Sequence, residues 1–287
     1  MAPSDKPPAE GPVLPAAQPL PARTSFVGEV ATQKRAHDLL LTELCHPARR
    51  TFPSHAHRHA YLSLLLAGGY REQTAGRTLV QRPLTVAFHP PSLEHQDEVA
   101  EGGVRLLCVE VGERWLGRLR EEGPLALDLH ALPGGEAVRL AVRLFRELRQ
   151  WEEATSPLLA EGLALELLAA AARRRSPRER HPPAWLGKVE EHLRATFHHP
   201  PGLERLAAEA GVHPVHLART FRHFRGCTPG AYVQELRVRR VWAGAADPRL
   251  PLADLALEAG FADQSHCTRV FRQRTGVTPG ALRRWLA

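Results

Sequence analysis

The sequence predicts an α+β multidomain chain. A small antiparallel β-barrel or sandwich followed by two helices precedes an all-α third built from two helix-turn-helix subdomains. Three observations lead there. Between Thr51 and Val111, short apolar runs alternate with Gly and Pro, the punctuation of strands and turns. From Gly135 to Ala172, apolar residues recur at helical spacing. Finally, Thr-Pro-Gly-Ala is written twice, at 228–231 and 278–281, each time after a segment rich in Arg and Phe.

At 287 residues the chain can hold two domains, each with its own core. Its 43% hydrophobic and 24% charged residues match a water-soluble protein. No apolar run approaches the ~20 residues of a membrane span, so no membrane partner is expected. Residues 1–25 are dense in Pro and Ala, with no basic stretch leading into an apolar one. They are expected to be a disordered lead rather than a secretory signal. Cys45, Cys108, Cys227 and Cys267 lie far apart without a Cys-x-x-Cys pair. That argues against a zinc module or disulfide framework and for a cytoplasmic location.

Within the β segment, "AYLSLLL" is expected to be a strand ending at Gly68-Gly69, with "LTVAFHPP" and "VRLLCVEV" as further strands. In "GEAVRLAVRLFRELRQW", Ala137, Ala141, Leu144, Phe145, Leu148 and Trp151 share one helical face, and Arg139, Arg143, Arg146 and Gln150 the other. "SPLLAEGLALELLAAAARRR" starts with Ser156 as N-cap and Pro157 at N1. It is apolar nearly all round, as for a helix buried on several sides or against a partner subunit. The charged, Pro-rich run that follows marks 176–184 as a linker. The expected domains are therefore 26–175 and 185–287.

The formal charge is +7, and its distribution is uneven. From Trp185 onward there are 15 Lys and Arg against 9 Asp and Glu; the rest of the chain is nearly balanced. All but one of those bases are Arg, which suits bidentate contacts to phosphate and guanine. The same third aligns on itself. Leu206, Ala207, Glu209, Ala210 and Gly211 recur 49 residues later, and His216, Arg219, Phe221, Arg222, Gly226 and Thr228–Ala231 recur 50 later. Each copy reads as a short helix, a Gly turn and a second helix, closed by a second Gly. Thr-Pro then starts the next helix, Thr as N-cap and Pro at N1. Leu217, Phe221 and Phe224 face inward in copy one, and Cys267, Val270 and Phe271 in copy two. Outward at the reading helix stand Val215, Ala218, Arg219 and Arg222 in copy one. In copy two they are Gln264, Ser265, Thr268, Arg269 and Arg272. Small residues, amides and Arg form the set that reads base edges, so double-stranded DNA is the expected partner. Arg283, near the end of the chain, is expected to touch phosphate.

These residues resemble the DNA-binding domain of AraC/XylS-type transcription regulators. The resemblance covers roughly Trp185 to Trp285 and is strongest in "PLADLALEAGFADQSHCTRVFRQRTGVTPGALRR". It implies two helix-turn-helix subdomains joined by a long helix, here Pro229–Ala246, with one reading helix in each of two successive major grooves. Gly244-Ala245 stand where two Leu are common in the family, which implies a looser end to that helix. Cys267 replaces a larger apolar residue, and Val215 a polar or aromatic one.

The N-terminal segment is similar to a cupin. "SHAHRHAY" resembles the first cupin motif, His-x-His-x3-Glu, with His55 and His57 as its pair and Tyr61 where a metal-binding cupin has Glu. "FHPPSLEHQDE" resembles the second, with His95 at its histidine. The family implies a barrel that senses a small-molecule effector through His55, His57, Tyr61 and His95, and helices that dimerise. Such barrels keep these motifs as relics, so no metal and no cofactor is expected. The resemblance implies a ligand-responsive, sequence-specific regulator, homodimeric, with RNA polymerase as a partner if it is an activator, and not an enzyme. The alternative reading is a metal-dependent cupin enzyme fused to a DNA-binding module, which would need the carboxylate missing at Tyr61.

Overall fold

The computed structural model describes residues 20–21, 26–121, 130–132, 134–172 and 182–286. The expected linker lies outside these except at 182–184, as does most of the expected disordered lead. The two described lead residues are held: Leu20 is buried, and the Arg35 guanidinium donates to the carbonyls of Leu20 and Pro21.

Eight strands form one antiparallel sheet: β1 (Glu29–Ala36), β2 (Leu39–His46), β3 (Thr51–Ala56), β4 (Ala60–Thr74), β5 (Arg77–Gln81), β6 (Val86–His89), β7 (Glu94–Val111) and β8 (His130–Ala131). The order is β1-β2-β7-β4-β6-β8, with β3 also on β7 and β5 also on β4. The sheet therefore begins before Thr51, where charged and polar residues break the apolar runs of β1 and β2. Gly68 does not end the strand as expected. It takes φ +76 inside β4, where a Cβ would sit 1.9 Å from the Gly103 carbonyl oxygen of β7. The glycine lets two bent strands cross at close range.

Both faces of the central strands are buried, so they read as nearly continuous apolar runs. In β4 and β7, Leu62, Leu64, Leu66, Leu107 and Val109 belong to the main core, with Phe145 and Leu163. Their alternates Leu65, Val104, Leu106 and Cys108 belong to a second core on the other face. One face thus packs on helices and the other turns inward. Helix α1 (Glu113–Glu121), unforeseen in the sequence, leads to α2 (Gly134–Arg149) and α3 (Ser156–Ala172). The expected inner face of α2 is buried: Leu144 and Phe145 are fully so. Buried Glu43 on β2 pairs with Arg105 of β7 and Arg149 at the end of α2, locking sheet to helix.

The C-terminal third runs α4 (Ala184–Thr196), α5 (Leu203–Glu209), α6 (Pro214–Arg225), α7 (Pro229–Ala245), α8 (Leu252–Glu258), α9 (Gln264–Thr275) and α10 (Pro279–Leu286). The repeated Thr-Pro starts a helix both times. Thr228 Oγ1 accepts from the Ala231 amide at 3.2 Å, and Thr278 Oγ1 from the Ala281 amide at 3.2 Å. Gly226 and Gly276 close α6 and α9 at φ 71 and 82.

The two units are joined differently to the rest. Leu186, Val189, Leu206, Leu217 and Phe221 of the first form a core of their own. Trp242, Phe271 and Leu282 of the second share the core of the sheet and α2. Trp242 on α7 is the fastening. A register shift leaves Leu66 unpaired with β7, and the Trp242 indole N–H donates to its carbonyl at 2.6 Å. Trp242 also stacks on Phe271 at 5.8 Å, and Arg105 of β7 donates to the Leu286 carbonyl of α10 at 2.6 Å.

Two expectations are corrected. Arg283 faces the protein, donating to the carbonyls of Ala245 (3.3 Å) and Leu250 (2.6 Å) and tying α10 to the α7–α8 turn. It is occupied as a staple rather than open to phosphate. The end of α7 is not loose either: Gly244 is buried, and a Cβ there would meet Leu255 of α8 at 2.5 Å. The missing side chain is what brings α8 close.

Trp242→Phe keeps an apolar ring but removes the donor and leaves the buried Leu66 carbonyl unmatched. The expected loss is at least about 2 kcal/mol, read as a lower midpoint in thermal or urea denaturation. An unchanged midpoint would show that the fastening lies elsewhere.

Candidate functional site

Two regions have functional geometry, the outer faces of α6 and α9 and the inside of the sheet. In α6, His213 is the N-cap and its Nδ1 accepts from the Val215 amide at 3.3 Å; in α9, the Asp263 carboxylate accepts from the His266 amide at 2.7 Å. Leu217 and Phe221, like Cys267 and Phe271, point into the cores. The opposite faces are thereby turned to solvent. Val215, Arg219 and Arg222 are exposed on α6, with Ala218 partly so. Gln264, Ser265, Arg269 and Arg272 are exposed on α9, with Thr268 partly so. The five α9 residues line one open groove together with Gln273 and Thr278, two positions the sequence reading missed. Gln273 follows Ser265 and Arg269 at the i+8 and i+4 spacing of one helix face, the signal that would have found it; Thr278 lies beyond α9, and no helical period points to it.

Most arginines of this third are already engaged. Arg225 and Arg194 pair with buried Glu190, Arg240 with Glu258, Arg239 with Glu235 and Arg249 with Asp247. Arg237 donates to the carbonyls of Phe197 (2.8 Å) and His198 (3.1 Å), and lies over the Phe261 ring. It thus ties the end of α4 to the second unit. Arg219, Arg222, Arg269 and Arg272 make no hydrogen bond or ion pair among the described residues. Four free guanidinium groups, two on each outer face, form a fixed positive surface with unspent donors.

The second region is a cavity of about 400 Å³ inside the sheet. Phe26, Phe52, His55, His57, Tyr61, Ser63, Tyr70, Asp97 and Cys108 are among its lining. Of the four expected effector residues, His55, His57 and Tyr61 line it; His95 lies buried behind them, 4.4 Å from the His55 ring. Strand pairing explains this, because His55 on β3 stands opposite His95 on β7. Sequence reading missed Ser63, Tyr70, Asp97 and Cys108. Ser63 is two residues on from Tyr61 and Asp97 two on from His95, so period-two alternation carries both inward.

Behind the cavity sits a buried polar network. Glu72 Oε2 accepts from Gln81 at 2.9 Å and pairs with His89 Nε2 at 3.0 Å, and His89 stacks on Tyr61 at 4.0 Å. Burial lowers the His57 imidazole to about 3, helped by His95 and His55 nearby. Burial also holds His95 below its ordinary value. Burial, and after it the charge of Glu72, pushes the Asp97 carboxyl up to about 7.

A cavity-bearing antiparallel sheet joined to two helix-turn-helix units is the architecture of a sensor fused to a DNA-binding module. The family described as AraC-like ligand binding domain matches residues 37–168, and that described as helix-turn-helix domain matches 206–284. The chain belongs to the AraC family of transcription regulators. It is 32% identical to the probable transcription factor PqrA of Proteus vulgaris over 81 residues, 28% of this chain and 66% of that one. It is 38% identical to the right origin-binding protein of Escherichia coli (strain K12) over 88 residues, 30% of this chain and 29% of that one. The matches thus span less than two thirds of these relatives. Among solved structures, ToxT from Vibrio cholerae O395 aligns with 87% of this chain and 98% of its own at 10% identity and a TM-score of 0.38. Among the described residues no helix is long and apolar enough to cross a membrane.

The raised Asp97 carboxyl gives a pH signature. Its folded value of about 7 lies above the 3.8 of an ordinary Asp, so folding disfavours its charged form. Well below pH 3.8 both states hold the proton and nothing is lost. Between about pH 4 and 7 only the unfolded chain ionises, and above 7 the folded state has forfeited on the order of 4 kcal/mol. Asp97→Asn, of the same shape, should therefore melt higher than the parent protein at pH 8 and nearly equally at pH 3. A melting gap that does not grow with pH would contradict this.

Proposed function

We propose that this chain is a sequence-specific DNA-binding transcription regulator whose activity responds to a small molecule in the sheet cavity, and that it is not an enzyme. The observation that carries this reading is the pair of equivalent exposed helices with free arginines. Val215, Ala218, Arg219 and Arg222 would face one major groove, and Gln264, Ser265, Thr268, Arg269 and Arg272 the next. Between them α7, about 25 Å long at 1.5 Å per residue, sets the separation. In this reading residues 26–175 sense and dimerise, and 185–287 bind DNA in the cytoplasm. Exposed Leu158 and Leu159 on α3 fit a homodimer contact. Where the protein activates, RNA polymerase is a further partner.

The effector would sit against His55, His57 and Tyr61, with His95 behind. Aromatic rings and aliphatic side chains make up much of the wall, with imidazoles and a carboxyl at one end. That lining suits a molecule with an apolar body and a few polar atoms. The second helix-turn-helix unit packs against the sheet that holds the cavity, so a shift in β4 on ligand binding would reach α7 through Trp242.

Binding-site selection followed by titration tests the reading. Arg219→Ala and Arg269→Ala should each cost ~1–3 kcal/mol on the selected site. They should relax the preference at two positions about ten base pairs apart. Affinity of the unaltered protein should fall steeply with salt as arginines displace counterions. A selected motif left unchanged by both substitutions would rule out the two-groove arrangement.

A further inference from the structure

The helices α6 and α9 stand on separate cores, so α9 is oriented relative to α6 by contacts of another kind. Leu206, Leu217 and Phe221 of the first unit cluster with no residue of the second, while Phe271 and Leu282 of the second pack with the sheet and α2. The units meet at Arg237 of α7. Its Nε donates to the Phe197 carbonyl at 2.8 Å and its Nη2 to the His198 carbonyl at 3.1 Å, where α4 ends. Carbonyls at a helix C-terminus attract a cation, and a planar guanidinium can hold two of them at once. The same guanidinium lies over the ring of Phe261 in the second unit.

Phe261 is buried and stands two residues before Asp263, the N-cap of α9. A shift of its ring therefore moves the start of that helix. Its neighbour Gly260 lies directly on the first unit: a Cβ there would meet the His198 Cα at 2.7 Å. The far end of α9 is held as well, because Arg274 donates to Gln234 Oε1 of α7 at 3.1 Å. One attachment would leave a helix free to pivot. Two attachments at opposite ends fix its direction and its position.

We propose that this joint confines the protein to DNA sites whose two halves stand at one spacing, and that Arg237 is the positioning residue that enforces it. The proposal rests on the two-groove reading above. Helix α7 sets how far apart the units lie, whereas the pivot of each unit about α7 is set by what touches across the joint. Each base pair inserted between two half-sites moves the second by about 3.4 Å and about a tenth of a turn. A freely pivoting unit could follow such a change, and a clamped one cannot. Arg237 reads no base itself; it acts through the end of α4 and through Phe261.

The test titrates the full chain by fluorescence anisotropy on the DNA site it selects, and on the same site with one base pair added or removed between the halves. For the parent, either change should cost at least about tenfold in affinity, the worth of a lost base contact. For Arg237→Ala the cost should fall to at most about threefold, because α9 can then follow its half-site. Arg274→Ala frees the other end of α9 and should lower the cost in the same direction; it carries the test if Arg237→Ala does not fold by circular dichroism. Arg249→Ala removes an exposed arginine paired with Asp247 and should keep the parent's cost. Lost stability or a lost phosphate contact would weaken all three DNAs alike and leave the ratio between them unchanged. That result in folded Arg237→Ala and Arg274→Ala would overturn the proposal. A parent that accepts all three spacings equally would overturn it too and leave the two-groove reading standing, whereas a selected site with a single half would remove both.

Discussion

The structure depends on one buried hydrogen bond, from the indole of Trp242 to the carbonyl of Leu66. It exists because β4 carries one residue more than β7 at this point, which frees a backbone acceptor that would otherwise be spent in the ladder. The donor comes from the helix that belongs to both helix-turn-helix units. Trp242 thus sits at the centre of the contact that sets the C-terminal third on the sheet, with the Arg105–Leu286 hydrogen bond beside it. The contact is apolar around its polar centre, with Phe271 stacked on the same ring. That combination gives both depth of burial and a fixed orientation.

The asymmetry between the two units follows. The second is welded to the sheet and α2, while the first keeps a core of its own and reaches the rest through α7, α4 and the Arg237 bridge. Gly260, at φ +86, lets the turn before α9 lie against the His198 backbone, where a Cβ would be 2.4 Å from the carbonyl oxygen. The relative setting of α6 and α9 is therefore held by the continuous helix α7, this backbone-to-backbone approach and the Arg237 and Arg274 side chains, not by a broad shared core.

Much of this was legible in the sequence, and the misses have physical causes. The duplicated unit was legible because local rules dominate it: Thr-Pro starts, Gly stops and a helical period all act within a few residues. β1 was missed because its strand character comes from pairing across the sheet rather than from an apolar run, and β2 because Thr42 and Glu43 interrupt its leucines. Gly68 was read as a terminus because a strand glycine and a turn glycine look alike until the partner strand is known. The three histidines were found through their motif. Asp97 was not, because its role depends on which face of β7 turns inward, a matter of register.

Arginine shows why net charge alone locates a surface poorly. The excess in the C-terminal third reads as one basic face, yet the structure divides it. Arg194, Arg225, Arg239 and Arg240 are consumed by carboxylates, and Arg237 and Arg283 by helix-terminal carbonyls. These hold helices together: Arg239 and Arg240 each pair with a carboxylate, Arg194 and Arg225 share Glu190, and Arg237 and Arg283 keep their charge but have donors engaged within the fold. Among the described residues Arg219, Arg222, Arg269 and Arg272 make no hydrogen bond or ion pair. Their positions repeat at a spacing of 50, as do the core residues beneath them. The duplication therefore preserves two things at once, the packing that turns each helix outward and the pair of guanidinium groups left over on it. A helical bundle selected for stability alone would need the first and not the second. The recurrence of unspent donors at matched places on two helices is what separates a reading surface from a merely charged one.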